Sequence, residues 1–511
     1  MTKPKLALFF GAGAEFSYGL PSGGKFALDI FKMDTAVDKQ KFRECRDSVN
    51  TRSIYAKNWL PAEYTSKPIS SFGKTHYETL VRDSIENKRN RILDYLNNFD
   101  RNATFHVAVI NEKGCDIKNS LERVTGTKFG SEVFTHDIKL SVLLGDNNNN
   151  IFSSTYFSMF LKILEIPAVD IGLKRKVQQV VRSLLELLIG SCGEDLIHKL
   201  NDGIFEKKPD RIDLFDDLGG IFSLDYKGTG LTGLDCILNS DSISLSSNSR
   251  DEDVISEFGM MILEDIFSQA LDYQSLIDNN WRYLYNPKTD WAKFCKISIF
   301  LYTVRRYISR SAESNQTRCN AGPGYYHDIA SAEELFEITV VGTTNYNRFI
   351  ETATNKNVFF LNGSVNDFYD PYLNKIICEM GAHDSNHITV PFIFTQSGVK
   401  PLTSVKMSER YVELYNGLKN SDIICIIGYG FNGDDGHING MFRSLIEEDH
   451  KQIYILHYFK DAININNDTA LLKGLYQEKL RLESADGINI VIVNNDRKCI
   501  FNNIIWYEIL E

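Results

Sequence analysis

The sequence predicts an α/β protein in which a parallel sheet is split by a large, mainly helical insertion, and three observations carry that expectation. First, the apolar run Ala7-Leu8-Phe9-Phe10 ends in Gly11-Ala12-Gly13, as a buried strand running into a tight turn does. Second, short β-branched or aromatic runs at 5–10, 337–342, 357–362, 422–428, 452–458 and 488–494 cluster at the two ends of the chain. Most are bounded by Gly, Asn or Asp, and helix-like segments separate the last several, so the strands should lie parallel and be covered on both faces. Third, Leu173, Val177, Val180, Val181, Leu184, Leu185 and Leu188 recur at helical spacing, with similar patterns at 76–98, 254–274 and 289–309.

The expected division is therefore 1–40 for the first part of the sheet domain, 41–330 for the insertion and 331–511 for the remainder. The run Asp146-Asn147-Asn148-Asn149-Asn150 and the Ser-rich stretch 239–253 read as loops. A chain of 511 residues exceeds one ordinary domain, and 43% hydrophobic content is enough for a full core. The net charge of −11 argues against a general nucleic-acid surface. Lys88-Arg89-Asn90-Arg91 and Lys174-Arg175-Lys176 lie in helix-like segments and read as solvated faces. Nine cysteines stand singly, without a Cys-x-x-Cys pair. That fits reduced thiols and a cytoplasmic location, with no targeting segment expected ahead of the first strand. No apolar run is long enough to span a bilayer.

The Gly11-Ala12-Gly13 turn has two readings. Glycine lets backbone approach a phosphate or ribose, and the C-terminal end of the first strand is where an open α/β sheet holds a nucleotide. A plain strand-to-helix turn has the same pattern. A dehydrogenase fingerprint fails, because Phe16 stands where the third glycine belongs and no acidic residue follows a second strand at the ribose-binding distance.

Five residues after Gly13 comes Gly19-Leu20-Pro21. That spacing resembles the first motif of sirtuins and sirtuin-like NAD-consuming proteins. Further along, Ile338–Asn347 resembles the family's strand ending in Thr-x-Asn, and Phe359–Ser364 its next strand, which normally ends in His-Gly. Asp422–Phe431 resembles the strand and glycine turn that hold the adenosine half of NAD. Asp434-Asp435-Gly436-His437-Ile438-Asn439 is similar to the bacterial antiviral-defence branch. The resemblance covers 1–40 and 331–511 and implies a Rossmann-like, sirtuin-like fold.

It also implies a chemistry. Breaking the bond between nicotinamide and ribose builds positive charge at the anomeric carbon, so a site must orient the sugar, stabilise the cation and place a nucleophile. The resemblance implies catalytic roles for Asn345, in the Thr-x-Asn position, and for Asn362, where the family has its histidine. An amide takes no proton at neutral pH, so Asn362 is excluded as a general base. His106, His136, His327, His383 and His387 are unplaced substitutes. Cofactor contacts are implied for Gly11, Ala12, Gly13, Ala14, Glu15, Pro21, Thr344, Gly428, Tyr429, Gly430, Asp434 and His457. The glycine turns should reach the pyrophosphate and the adenosine side through backbone N–H groups. Glu15 stands where sirtuins usually have serine, and either hydrogen-bonds sugar hydroxyls or faces solvent. Asp434 and Asp435 either accept from ribose hydroxyls or form a charged turn. Gly24 stands where deacylases have arginine.

The function expected from this is hydrolysis of NAD to nicotinamide and ADP-ribose in anti-phage defence. NAD is the substrate and no zinc is expected, because the paired cysteines of the deacylases are missing. The alternatives are a catalytically inactive module that binds NAD or ADP-ribose, and, third, a protein deacylase. The resemblance suggests a trigger-sensing partner such as a HerA-type ATPase; neither a membrane nor direct nucleic-acid contact is expected. The apolar positions of the insertion are more than cover for one sheet edge requires, which predicts a homo-oligomer. Light scattering at micromolar concentration should report more than one copy; a monomer with and without NAD contradicts this.

Overall fold

The computed structural model describes residues 3–20, 23–130, 151–192, 211–213, 223–225, 230–240, 243–271, 277, 280–379, 386–393, 404–458 and 468–511. In chain order its strands are β1 (Lys5–Phe10), β2 (Arg211–Asp213), β3 (Ser223–Asp225), β4 (Glu337–Thr343), β5 (Val358–Phe360), β6 (Gly363–Asp370), β7 (Lys375–Cys378), β8 (Val390–Ile393), β9 (Ile423–Ile427), β10 (Ile453–Tyr458) and β11 (Ile488–Val493). The chain divides into two compact units: Met1–Gly23, Met33–Phe72 and Tyr273–Glu511 form one, Gly24–Lys32 and Gly73–Asp272 the other.

The first unit holds a six-stranded parallel sheet in the order β11-β10-β9-β1-β4-β5. Numbered along the chain within this sheet, that is 6-5-4-1-2-3, the doubly wound Rossmann-like order. All six expected strands are present. The central strand explains the two-sided cover: Leu6 to Phe10 are fully buried. Alternate side chains leave a strand on opposite faces. Leu6, Leu8 and Phe10 join one core with Tyr326, Val341, Ile427 and Trp506, while Ala7 and Phe9 join another with Leu414, Ile426, Phe442 and Tyr476. Phe10 pairs in register with Thr343 on one side and Ile427 on the other. The three strands therefore end level, and their following turns meet at one edge.

A second sheet, β7-β6-β8, is antiparallel and was not expected from the sequence. It begins at Gly363, whose φ is +81° and where a Cβ would fall 1.9 Å from the Phe392 carbonyl. Only glycine makes this turn out of β5 without displacing β8.

The expected boundaries at 40 and 330 need correction, because the stretches 41–72 and 273–330 belong with the sheet. The helix Ala36–Asp47 packs on the helix Trp291–Ser314. Asp38, fully buried, accepts from Arg306 Nη2 at 2.6 Å and from Thr303 Oγ1 at 3.0 Å. A helical period reports an apolar face but not which core that face covers.

Among the described residues, the regular structure of the second unit is helical apart from the antiparallel pair β2–β3. Its long helix Ile171–Cys192 buries the Leu and Val positions read from the sequence and packs on the helices Arg89–Asn97, Leu231–Asn239 and Asp251–Ala270. The segment 24–32 joins this unit. Phe31 stacks on Tyr77 with centroids 4.0 Å apart, and Lys32 pairs with Glu264. No helix among the described residues is long and apolar enough to cross a membrane. The loop expected at 146–150 lies outside the described residues.

Gly428 offers the sharpest test of the sheet edge. Its φ is +66° and an added Cβ would sit 2.1 Å from the Ala14 nitrogen. Gly428→Ala should lower stability in urea denaturation by about 2–4 kcal/mol, combining left-handed strain with overpacking. Gly433→Ala, where a Cβ meets nothing within 4 Å, should stay within about 0.5 kcal/mol. Equal effects contradict the assignment.

Candidate functional site

Strands β1 and β9 lie side by side at the centre of the sheet, and the chain leaves them toward opposite halves. In open α/β sheets, the crevice outside the carboxyl ends of such a pair is where ligands bind. Here the two exits lock together. Gly11 N donates to Ile427 O and Gly13 N to Gly428 O, both at 2.9 Å, and Ala14 N donates to Gly11 O at 3.1 Å. A Cβ on Gly11 would stand 2.6 Å from Gly428 O, and one on Gly13 2.9 Å from Gly428 Cα. These glycines are explained by backbone meeting backbone. The expectation that the amides of Gly11 and Gly13 reach a pyrophosphate is corrected accordingly: in this structure they are engaged between the turns. Ala12 and Gly430 are exposed at the rim, with Gly13, Thr344 and Gly428 partly so.

Behind this rim four polar side chains are buried together. The seven-residue 3₁₀ helix Ala12–Tyr18 carries Glu15, only 6% exposed. The turn after β4 supplies Asn345 and Asn347, and the helix Tyr325–Leu335 supplies Tyr326. Tyr326 Oη donates to Glu15 Oε1 at 2.7 Å, and Asn347 Nδ2 donates to Glu15 Oε2 at 2.7 Å. Asn345 Nδ2 donates to Gly11 O and to Tyr326 Oη, both at 3.1 Å, and its backbone N–H donates to Thr343 Oγ1. Asn345 thus ties the β4 exit to the β1 exit.

Glu15 is buried with both carboxyl oxygens bonded inside the cluster, contrary to the reading in which it faces solvent. Burial pushes its carboxyl up to about 7, against the opposing pull of hydrogen bonds from Tyr326, Asn347 and Asn345. Burial likewise holds the Tyr326 hydroxyl well above its usual range. No Lys, Arg or His among the described residues pairs with Glu15.

The other expected residues fall around this centre. Asn362 is buried just past β5, where Leu361 N donates to Thr343 O at 2.9 Å. Tyr429 turns its ring into the core against Phe9 and Phe431, with its hydroxyl on Asn439 Oδ1 at 2.9 Å, so its side chain lies away from the rim. Gly430 O accepts from Lys479 Nζ at 2.8 Å. His457, on β10, meets Tyr476 Oη through Nδ1 at 2.9 Å, and burial, with Lys479 nearby, lowers its pKa. Pro21 lies outside the described residues. Asp434 belongs to the short helix Gly433–Asp435.

None of the described substitute histidines joins the cluster. His106 meets Asp265 in the second unit, His387 meets Asp370 beside the small sheet, and His327 meets Tyr18. His136 and His383 lie outside the described residues. No family model, curated protein or solved structure matches this chain. No group of three His, Cys, Asp or Glu among the described residues is placed to hold a metal ion.

Tyr326 and Asn347 were missed from sequence. Asn347 was within reach, since Asn345 and Asn347 are two apart at a strand end and such residues point the same way. Tyr326 carried no local signal.

The Glu15 carboxyl titrates near 4.5 when unfolded and about 7 when folded. Between those values the folded state holds the extra proton, so stability falls as pH rises through the window and is lowest above it. The whole effect is at most about 3 kcal/mol. Glu15→Gln removes it. Urea denaturation should show the variant gaining on wild type between pH 5 and pH 8.5 by a sizeable part of that amount. A difference that stays constant with pH contradicts the burial of a titrating carboxyl.

Proposed function

We propose that the crevice at the β1–β9 exits binds NAD and that the chain cleaves its nicotinamide–ribose bond, yielding nicotinamide and ADP-ribose. One observation carries the reading: two interlocked glycine turns at the switch point of a doubly wound sheet have a buried Glu15–Tyr326–Asn345–Asn347 cluster directly behind them. A dinucleotide laid across this edge would meet the rim at Ala12, Gly13, Thr344, Gly428 and Gly430. A pre-set amide behind that rim suits a reaction in which nicotinamide leaves readily and the sugar must be oriented. The resemblance to sirtuin-like proteins extends the proposal to NAD depletion in bacterial defence against phage, with a trigger-sensing protein partner and self-association through the helical unit.

A second reading, a nucleotide-binding module without catalysis, is favoured by two particulars. Asn362 cannot serve as a base, and the amides of Gly11 and Gly13 are engaged within the fold. Deacylation ranks third, for want of the paired cysteines and the arginine.

Nicotinamide release from NAD separates the readings. Asn345→Ala should lower turnover by about 10²–10³, the usual loss for one preorganised contact, while NAD affinity falls much less. Because Asn345 also ties two turns together, thermal unfolding of the variant should be followed alongside, to show that folded protein is being compared. Asn362→His should keep or raise activity. Robust wild-type turnover untouched by Asn345→Ala contradicts the assignment, and tight NAD binding with no turnover in any form supports the non-catalytic module.

A further inference from the structure

Glu15 is an expensive residue for this fold. A carboxyl deprived of water favours its neutral form, and an apolar or amide side chain would fill the same space at less cost. Buried carboxyl groups held without a cation are found disproportionately where chemistry needs them. The charged and titratable groups nearest Glu15 on the elements packed around it are engaged elsewhere or uncharged. Arg318 donates to Ser17 O, Arg348 pairs with Glu351, and Asp328 is held by Arg497. His327 meets Tyr18, whose hydroxyl also accepts from Tyr326 N. Burial, with Glu15 nearby, pushes the Cys319 thiol up to about 11.

The connections of Glu15 lead to the amide assigned to the sugar. Tyr326 Oη donates to Glu15 and accepts from Asn345 Nδ2, so one hydroxyl relays the state of the carboxyl to the orientation of that amide. Asn347, bonded to the other carboxyl oxygen, also accepts from Phe349 N and so anchors the start of the next helix.

We propose that Glu15 is the charge-bearing positioning residue of this site: neutral, it admits an anionic dinucleotide, and ionised, it fixes Asn345 through Tyr326 and favours the cation that develops at the ribose. This rests on the NAD reading above. The two roles oppose each other. A negative charge behind the rim weakens binding of a pyrophosphate, whereas the same charge stabilises positive character at the anomeric carbon, and both effects are strong where water is excluded. Both dependences should report the same carboxyl, binding from its ligand-free ionisation upward and kcat at the higher ionisation it has in the complex.

The test is nicotinamide release and NAD affinity from pH 5.5 to 9.5 for wild type, Glu15→Gln and Glu15→Asp, with the carboxyl followed by ¹³C NMR in the ligand-free protein. In wild type, affinity should fall about tenfold as the carboxyl ionises from its ligand-free value near 7, and kcat should rise about tenfold or more across an ionisation about one unit higher, because a ligand that prefers the neutral form raises the carboxyl's pKa in the complex. Glu15→Gln should flatten both profiles, and Glu15→Asp should keep them with a displaced midpoint. A purely structural role for Glu15 would alter stability without flattening either profile. Parallel pH dependences in wild type and Glu15→Gln, or a Glu15 carboxyl titrating below 5, overturn the inference and leave the NAD reading standing. Absence of both binding and cleavage at every pH overturns the NAD reading and this inference together.

Discussion

The architecture depends on one close approach, that of the backbone after β1 to the backbone after β9. Parallel strands with buried side chains on both faces offer no way to close their C-terminal edge except through the turns that leave them. Here Gly13 and Gly428 lie in van der Waals contact, with Gly428 left-handed, and the Gly11 and Gly13 amides are spent on Ile427 and Gly428 carbonyls. That contact fixes where the 3₁₀ helix Ala12–Tyr18 starts. It therefore fixes that Glu15 points inward, to where Tyr326, Asn345 and Asn347 meet it. A side chain on any of these glycines would separate the turns before it changed anything else.

The sheet was legible because its signal is local. Each strand is a short apolar run, most of them bounded by Gly, Asn or Asp, and burial on both faces leaves little else for such runs to be. The small antiparallel sheet was illegible for the opposite reason. Gly363–Asp370 mixes Ser, Asn and Asp with Val, Phe and Tyr, and the four-residue Lys375–Cys378 has no period to read. They become strands by pairing with each other, and Gly363–Asp370 pairs on its other side with Val390–Ile393. At the site, the glycines and Asn345 were visible as a motif, but the motif did not reveal their work. The glycines looked like a cradle for a ligand and turn out to be packed on each other. Glu15 looked like a surface or sugar-facing group, because nothing adjacent in sequence announces that Tyr326, more than 300 residues on, covers it.

The cluster is held from both ends of the chain. Tyr326 sits on a helix whose Asp328 takes Arg497 Nε at 2.6 Å and Trp506 Nε1 at 2.9 Å. Trp506 is fully buried, and Tyr325 packs against it. The segment after β11 thereby clamps the helix that delivers the Tyr326 hydroxyl to Glu15. Residues far from the crevice in sequence set the distance on which the relay between Glu15 and Asn345 depends.

The same wiring constrains the birth of the molecule. Strand β1 precedes both of its sheet partners and has none until β4 is made. At typical translation speeds of about 5–20 residues per second, that leaves it waiting for roughly 15–65 seconds while about 330 residues are made. During that interval Leu6–Phe10 is an unpaired apolar strand on a nascent chain, in need of shelter by the ribosome or a chaperone. The helical unit, encoded in between, can fold while β1 waits. A polypeptide released before Trp506 lacks the clamp on Tyr326, so prematurely terminated products would carry the glycine turns without the anchored cluster behind them.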